Sequence, residues 1–424
     1  MASQLAGSVG RAFRLGDLRR RILYTVAMFG VFRLGAHVPV PGINQAALAN
    51  LFSSGTFFGL LNLFAGGALQ IFAVFAMSIT PYINASIIMQ LLTLVLPQVE
   101  EWSKEGPEGQ NKINQWTRYG TVMLAVVEST ALAVYLRDNG AFLRPGIEEI
   151  LLVVLILTAG TVFLMWIGEM MTEYGIGNGI SLLIFAGIIS RLPSGIGTIV
   201  TYLRTGRISV FNLLVFVALA LAITAAVVLV TQAARRVPVQ YAKRVVGRRM
   251  YGGASSYIPI RVNQAGVIPV IFAASVLTVP LTLTQFVNVT WLHSVATFFQ
   301  SSTLWYELVY AALIIAFTFF YTSIVWNPSD VADNIRKQGG FIPGYRPGRP
   351  TAEYLGRVLE RVTVLGAIFL AIIAVLPAVF TGATNIPNIT FGGTALLIVV
   401  GVALDTMMQI EGHMLMRHYQ GFIR

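Results

Sequence analysis

The chain contains no cysteine, and only 11% of its residues are charged although 56% are apolar. The first absence excludes disulfides, thiolate metal ligands and cysteine nucleophiles, and leaves little room for redox chemistry. The second means that 424 residues carry too little charge to clothe a water-facing surface, so lipid must be the main solvent. Catalytic motifs are missing as well. His37, His293, His413 and His418 have no metal-ligand spacing. GIGNG at Gly175–Gly179 resembles a phosphate loop, but it follows an apolar run and lacks the Lys-Ser/Thr pair of a P-loop. It reads as a tight turn into a helix. With no nucleotide-hydrolysing motif and no cofactor site, any uphill work must be powered by a partner or a gradient.

Long uncharged runs are what the chain does have: no Asp, Glu, Lys or Arg occurs from Leu34 to Val99, from Val262 to Tyr306 or from Val362 to Leu404. Each accommodates at least one span of about 20 residues. Backbone polar groups in hydrocarbon need internal partners, and the runs lack the alternation of barrel strands, so the spans are helices. The expected spans are 22–40, 74–96, 117–136, 150–168, 177–202, 210–231, 264–284, 304–326, 362–380 and 392–411, the fifth interrupted by Arg191 and Pro193. The first follows Arg19–Arg21 as a signal sequence would, but no small-x-small cleavage site comes after it, so it reads as a retained span.

Positive charge tests the count. Ten spans with the N-terminus inside put 23 basic residues inside and 6 outside; an eleventh span at 57–72 gives 10 against 19, and removing the fifth gives 11 against 18. The expected architecture is an all-α polytopic membrane protein of ten transmembrane helices with both termini cytoplasmic. It divides into segment 1–21, a first half 22–206, a second half 207–412 and a tail 413–424. Halves with an odd number of spans have opposite orientation in the membrane.

It follows that the apolar stretch 57–72 enters from outside without crossing, as a re-entrant helix broken near Gly66 and Gly67; the alternative is a helix lying on the outer leaflet. Two long inside loops, 232–262 and 327–361, are candidates for docking a partner. Their Arg and Lys residues fit RNA phosphates or an acidic protein, though charge that merely fixes topology would look the same. Glu128, Asp405 and Glu411 are the intramembrane carboxylates, for which helix packing competes with a functional role. Ile79 and Ile83 share one helix face, as do Ile180 and Ile184; by itself that pattern usually means packing or lipid contact.

Several long motifs carry more information: PYINASIIMQLL at 81–92, GIGNGIS at 175–181, NQAGVIPVIFA at 263–273, NPSDVADNIRKQGGFIPGYRPGRPT at 327–351 and FGGTALLIVV at 391–400. Together, in order from roughly Leu15 to Met414, they resemble the SecY family. That resemblance implies a protein-conducting channel of the bacterial inner membrane built from two inverted five-helix halves. It implies a pore ring at Ile79, Ile83, Ile180, Ile184, Ile271 and Ile398, and a plug at 57–72 that includes Phe64, Gly66 and Gly67, with Ala65 where the family has serine. A lateral gate between spans two and seven takes in Gln90, Thr117 and Asn263. Arg248, Arg249 and Arg346 become docking residues for the motor ATPase SecA or the ribosome. Tyr174 stands where the family pattern has arginine. The partners implied are SecE, SecG, SecA, the ribosome, secretory and membrane-protein nascent chains, and anionic lipids. Passive conduction of unfolded polypeptides, with lateral release of hydrophobic helices, is thus the leading expectation. A secondary solute transporter shares inverted repeats and broken helices, but it needs midplane charges that are scarce here. A scaffold would have no pore.

Overall fold

The computed structural model describes residues 16–48, 65–144, 146–206, 208–241, 244–246, 249–251, 255–283, 304–384 and 393–420. Each expected span overlaps a helix, the fifth overlapping two. The first half contains α1 (Gly16–Gly35), α2 (Thr80–Val95), α3 (Pro97–Lys104), α4 (Pro107–Asp138), α5 (Ile147–Tyr174), α6 (Gly179–Ser190) and α7 (Leu192–Arg204). In the second are α8 (Val210–Gln232), α9 (Ile268–Leu283), α10 (Leu304–Val325), α11 (Pro328–Lys337), α12 (Arg349–Thr384) and α13 (Gly393–Gln420). Among the described residues seven helices are long and apolar enough to cross a bilayer, with α6 and α7 taken together as one, or eight if α2 and α3, bent by 100°, also count as one span. The bend falls at Pro97, whose ring cannot continue the α2 hydrogen-bond ladder. The expected fifth span is α6 followed by α7, broken at Arg191 immediately before Leu192-Pro193.

Sequence periodicity placed the start of span two too early. Residues 74–79 are turns, and helix begins only at Thr80, with proline in its first turn. The backbone of this entry is satisfied elsewhere: Val40 N–H donates to Phe72 O at 2.9 Å and Val74 N–H to Val38 O at 3.0 Å, pairing the segment with residues 38–40. Phe72 and Ser78 adopt positive φ of 48° and 54°, costly for residues with a Cβ.

The two long loops are not irregular. β1 (Ala234–Tyr241) pairs antiparallel with β4 (Ser255–Arg261) and with β5 (Gly340–Phe341), giving the order β4-β1-β5. The short strands β2 (Arg244–Val246) and β3 (Arg249–Tyr251) form a second ribbon. Val237, Val239 and Ile260 from the sheet meet Ala332 and Ile335 of α11 and Leu355 and Leu359 of α12 in a core of their own. An otherwise all-α protein thus carries a small α/β unit at one face. The alternation in Val-Pro-Val-Gln-Tyr is what a one-sided strand needs.

Between the halves, two helix pairs make the principal contacts among the described residues: α2 against α9 and α6 against α13. One extended apolar core runs through both seams.

Candidate functional site: an apolar waist and its surroundings

The six isoleucines singled out from sequence all sit on the four seam helices. Ile79 caps α2 and Ile83 lies one turn on, while Ile180 and Ile184 are on α6, Ile271 on α9 and Ile398 on α13. All but Ile180 are buried, Ile398 completely, and Ile180 packs partly buried against the same core. Gly168 of α5 fixes two of them in space: a Cβ there would lie 3.1 Å from Ile180 Cγ1 and 3.6 Å from Ile79 Cδ1. None of the six side chains carries a polar atom, so nothing at this waist replaces an ion's hydration shell.

Of the apolar stretch 57–72, residues 65–72 are described. Ala65, Ala68, Leu69 and Phe72 are all buried, so this face of the segment packs against the protein, while Gln70 is exposed. The chain here is a succession of tight turns closed by bonds such as Ala68 N–H to Ala65 O at 3.1 Å. Gly66 has φ of 61° and its Cα region is so close to α6 that a Cβ would meet Gly187 Cα at 2.9 Å. Its carbonyl accepts from Arg33 at 3.4 Å and from the Ser190 hydroxyl at 3.3 Å. Gly67 also has positive φ; Phe64 and residues 57–63 lie outside the described residues.

Of the proposed gate residues, Gln90 lies on α2, Thr117 on α4, which packs against α2, and Asn263 in the link from β4 to α9. They do not hydrogen-bond to one another. Thr117 Oγ1 donates to Ile113 O at 2.9 Å within its own helix, and Gln90 Nε2 donates to Ser86 Oγ at 3.3 Å. The buried oxygens Gln90 Oε1 and Asn263 Oδ1 have no partner among the described residues.

Arg346 is exposed on the turn between β5 and α12. Glycines at 344 and 348, with φ of 87° and 103°, bracket it, Tyr345 stacks on Tyr354 with ring centroids 4.2 Å apart, and the Thr351 hydroxyl donates to Arg346 O at 2.8 Å. Backbone and neighbours are therefore fixed while the guanidinium stays in water. Arg249 opens β3; Arg248, just before it, lies outside the described residues.

Of the three carboxylates singled out from sequence, Glu128 bridges two helices, Asp405 lines a crevice and Glu411 is exposed. Glu128 of α4 accepts from Asn84 Nδ2 of α2 at 3.0 Å, joining two packed helices. Asp405 and Arg261 line a crevice of about 320 Å³ beside the α5–α6 turn, together with Asn178, Ser181 and Gln409. Tyr174, the departure from the arginine of the family pattern, packs edge-on against Tyr24 of α1. Sequence reading missed the fastening of GIGNG: Arg21 of α1 donates to Gly175 O at 3.2 Å, Ile176 N–H donates to Thr25 Oγ1 at 3.2 Å, and Gly177 N–H to Gln409 Oε1 at 3.0 Å. No local signal could find partners more than 150 residues away. Between them α4 and α5 leave an apolar groove of about 940 Å³ lined by Val126, Leu155, Phe163 and Trp166.

Long apolar helices of span length that pack at two seams around one continuous apolar core define a polytopic helical membrane protein. The family model SecY matches residues 73–407, and the chain belongs to the SecY family. It is 47% identical over 430 residues to the protein translocase subunit SecY of Halalkalibacterium halodurans, covering 98% of this chain and 99% of that one. To the subunit of the same name from Thermotoga maritima it is 45% identical over 427 residues, covering 97% and 96%. Among solved structures, a protein-conducting channel superimposes with a TM-score of 0.65 at 19% identity, covering 92% of this chain and 91% of that one. Sec61 of a canine ribosome–channel complex gives 0.59 at 18% identity, with the same coverage.

Proposed function

We propose that the chain is the central pore subunit of a Sec translocon, in which an unfolded polypeptide passes between the two halves through the ring of Ile79, Ile83, Ile180, Ile184, Ile271 and Ile398. The observation that carries this reading is that all six lie on the four helices forming the only two principal seams among the described residues. Aliphatic side chains without polar atoms block hydrated ions, and they yield around a chain because dispersion contacts are individually weak. The turns at 65–72 act as part of the plug, and separation along the α2–α9 seam releases apolar helices into lipid. Unpaired Gln90 Oε1 and Asn263 Oδ1 support that assignment, because a seam without cross-bonds parts at little cost. The subunit itself performs no bond chemistry; the work comes from a motor ATPase or the ribosome seated on Arg248, Arg249 and Arg346, with the sheet-bearing face and both termini cytoplasmic in a bacterial inner membrane. Small membrane subunits of the SecE and SecG type complete the assembly.

Ion conductance in planar bilayers tests this. The unaltered channel is expected to be silent, while Ile83→Asn, which gives the waist a hydrated side chain, conducts. If both remain silent although Ile83→Asn protein is inserted and folded, the ring assignment fails, and a scaffold without a pore is favoured.

A further inference from the structure

Next to the isoleucine ring, on the side that carries the sheet, the crevice of about 320 Å³ is lined by polar groups that the packing leaves unused. Its position follows from the elements that build it. Asp405 lies seven residues beyond Ile398 on α13, hence on the same helix face and about 10 Å further along. Ser181 stands three residues before Ile184 on α6, and Arg261 ends β4, the strand that leads to α9. A Cβ at Gly266, in that same link, would stand 3.9 Å from Asp405 Oδ2. Within the crevice, existing bonds decide which polar atoms remain. Asn178 Oδ1 accepts from the N–H groups of Ile180 and Ser181, both at 3.1 Å, and Gln409 Oε1 accepts from Gly177 N–H at 3.0 Å. Both side-chain amides have thus committed their oxygens to the turn before α6, and their NH2 groups are the ends left to donate. The Thr406 hydroxyl donates to Val402 O at 2.7 Å, which leaves its oxygen as an acceptor. Arg261 adds guanidinium donors and Asp405 carboxylate acceptors, and no hydrogen bond or ion pair joins these two side chains among the described residues.

We infer that this crevice binds the main chain of a passing polypeptide, with Asn178, Arg261 and Gln409 donating to its carbonyls and Asp405 and Thr406 accepting from its N–H groups. An extended peptide offers one donor and one acceptor per residue and no net charge. That matches a crevice in which one cation and one anion offset each other, whereas a ligand of single sign is drawn to one wall and repelled by the other. At roughly 30 Å³ per water molecule the crevice has room for about ten, so an entering chain exchanges water for fixed partners without disturbing the packing. The ring beyond offers no polar atom, and a backbone about to enter it loses its water. Partners placed two turns before the ring hold the chain at that threshold. Recognition through the main chain is blind to side-chain sequence, as a conduit for many polypeptides requires. This inference rests on the pore reading proposed above, and it adds the chemical group of the substrate that the protein recognises.

The test uses the assembled complex in proteoliposomes and a secretory polypeptide stalled by a folded C-terminal domain. After ATP is withdrawn, backward slippage of the stalled chain is followed as loss of protease protection. Asp405→Ala and Arg261→Met should each accelerate slippage by about three- to tenfold, the loss expected for one hydrogen bond. Asp405→Asn keeps an acceptor oxygen at the same reach and should slip as slowly as the unaltered protein. When the segment stalled at the crevice is made rich in proline, which has no N–H to offer, Asp405→Ala should add nothing while Arg261→Met keeps its effect. A site for lysine or arginine side chains behaves differently. Asp405→Asn would then be as fast as Asp405→Ala, and the effect would vanish for a segment without basic residues; that outcome overturns the inference, as do unchanged rates in both Asp405→Ala and Arg261→Met. If Asp405→Ala does not accumulate, the unaltered channel decides: a proline-rich segment should slip faster than a serine-rich one, and equal rates overturn the inference. A disulfide between Ile83→Cys and a cysteine of the stalled chain keeps the two readings apart. No adduct refutes the pore and this inference with it, whereas an adduct with unchanged slippage refutes the inference alone.

Discussion

Asn84 and Glu128 illustrate how polar side chains are used inside this protein. Their 3.0 Å hydrogen bond joins α2 to α4, and the carboxylate has no other partner among the described residues. Replacing Asn84 by Leu removes the donor and leaves a buried carboxylate alone, so the folded state should lose about 1–3 kcal/mol. Glu128→Gln keeps a hydrogen-bonding oxygen and should cost less than about 1 kcal/mol. Thermal denaturation of the detergent-solubilised variants checks the order. Close helix approach depends on glycine in the same region: a Cβ at Gly160 would stand 2.2 Å from Val74 O, against the strained entry to α2. Gly160→Ala should therefore displace residues 74–79 and lower stability by about 1–3 kcal/mol, the usual range for overpacking. A melting temperature equal to that of the unaltered protein would show that the entry segment gives way freely.

Helices were the most legible elements, because an uncharged run of span length admits no other structure in lipid. Arg191 and Pro193 signalled the interruption of the fifth span, and the count of ten from charge bias is consistent with the seven to eight span-length apolar helices among the described residues. Two things were not legible. The start of α2 moved from 74 to 80 because residues 38–40 supply the backbone partners of residues 72 and 74, a pairing across more than 30 positions that hydropathy cannot register. The sheet was hidden because its strands come from two loops some 80 residues apart, each too short to stand alone. Ile260 is completely buried between that sheet and α12. Ile260→Ala should cost about 2–5 kcal/mol locally and loosen the α/β unit. Trypsin should then cut between residues 234 and 261 much faster than in the unaltered protein, while the helical core stays protected. Arg346→Glu, by contrast, changes only an exposed guanidinium on a fixed turn. It should leave proteolysis unchanged and strongly reduce ATP-driven translocation, because reversing an interfacial charge repels an acidic partner.

For the whole molecule, what matters is that one set of helices supplies both the waist and the seams. On the function proposed above, a ring carried by four helices opens when the halves move apart, which would make sealing and gating the same mechanical event. The isoleucine positions were readable only through the family motifs. Nothing in isoleucine at i and i+4 separates a pore from a packed helix face, and it was the meeting of α2, α6, α9 and α13 that placed the six side chains in one apolar core. Phe64 and Arg248, proposed above for the plug and for docking, lie outside the described residues. The passage of polypeptide through the ring is tested most directly by placing a single cysteine at Ile83 of this cysteine-free chain. A secretory polypeptide bearing one cysteine is then stalled across the membrane and the complex oxidised, with Leu155→Cys on the exposed face of α5 as control. A disulfide adduct at position 83 and none at 155 is the expected result. No adduct at 83, with the stalled chain demonstrably inserted, would contradict the account and return a solute transporter to consideration.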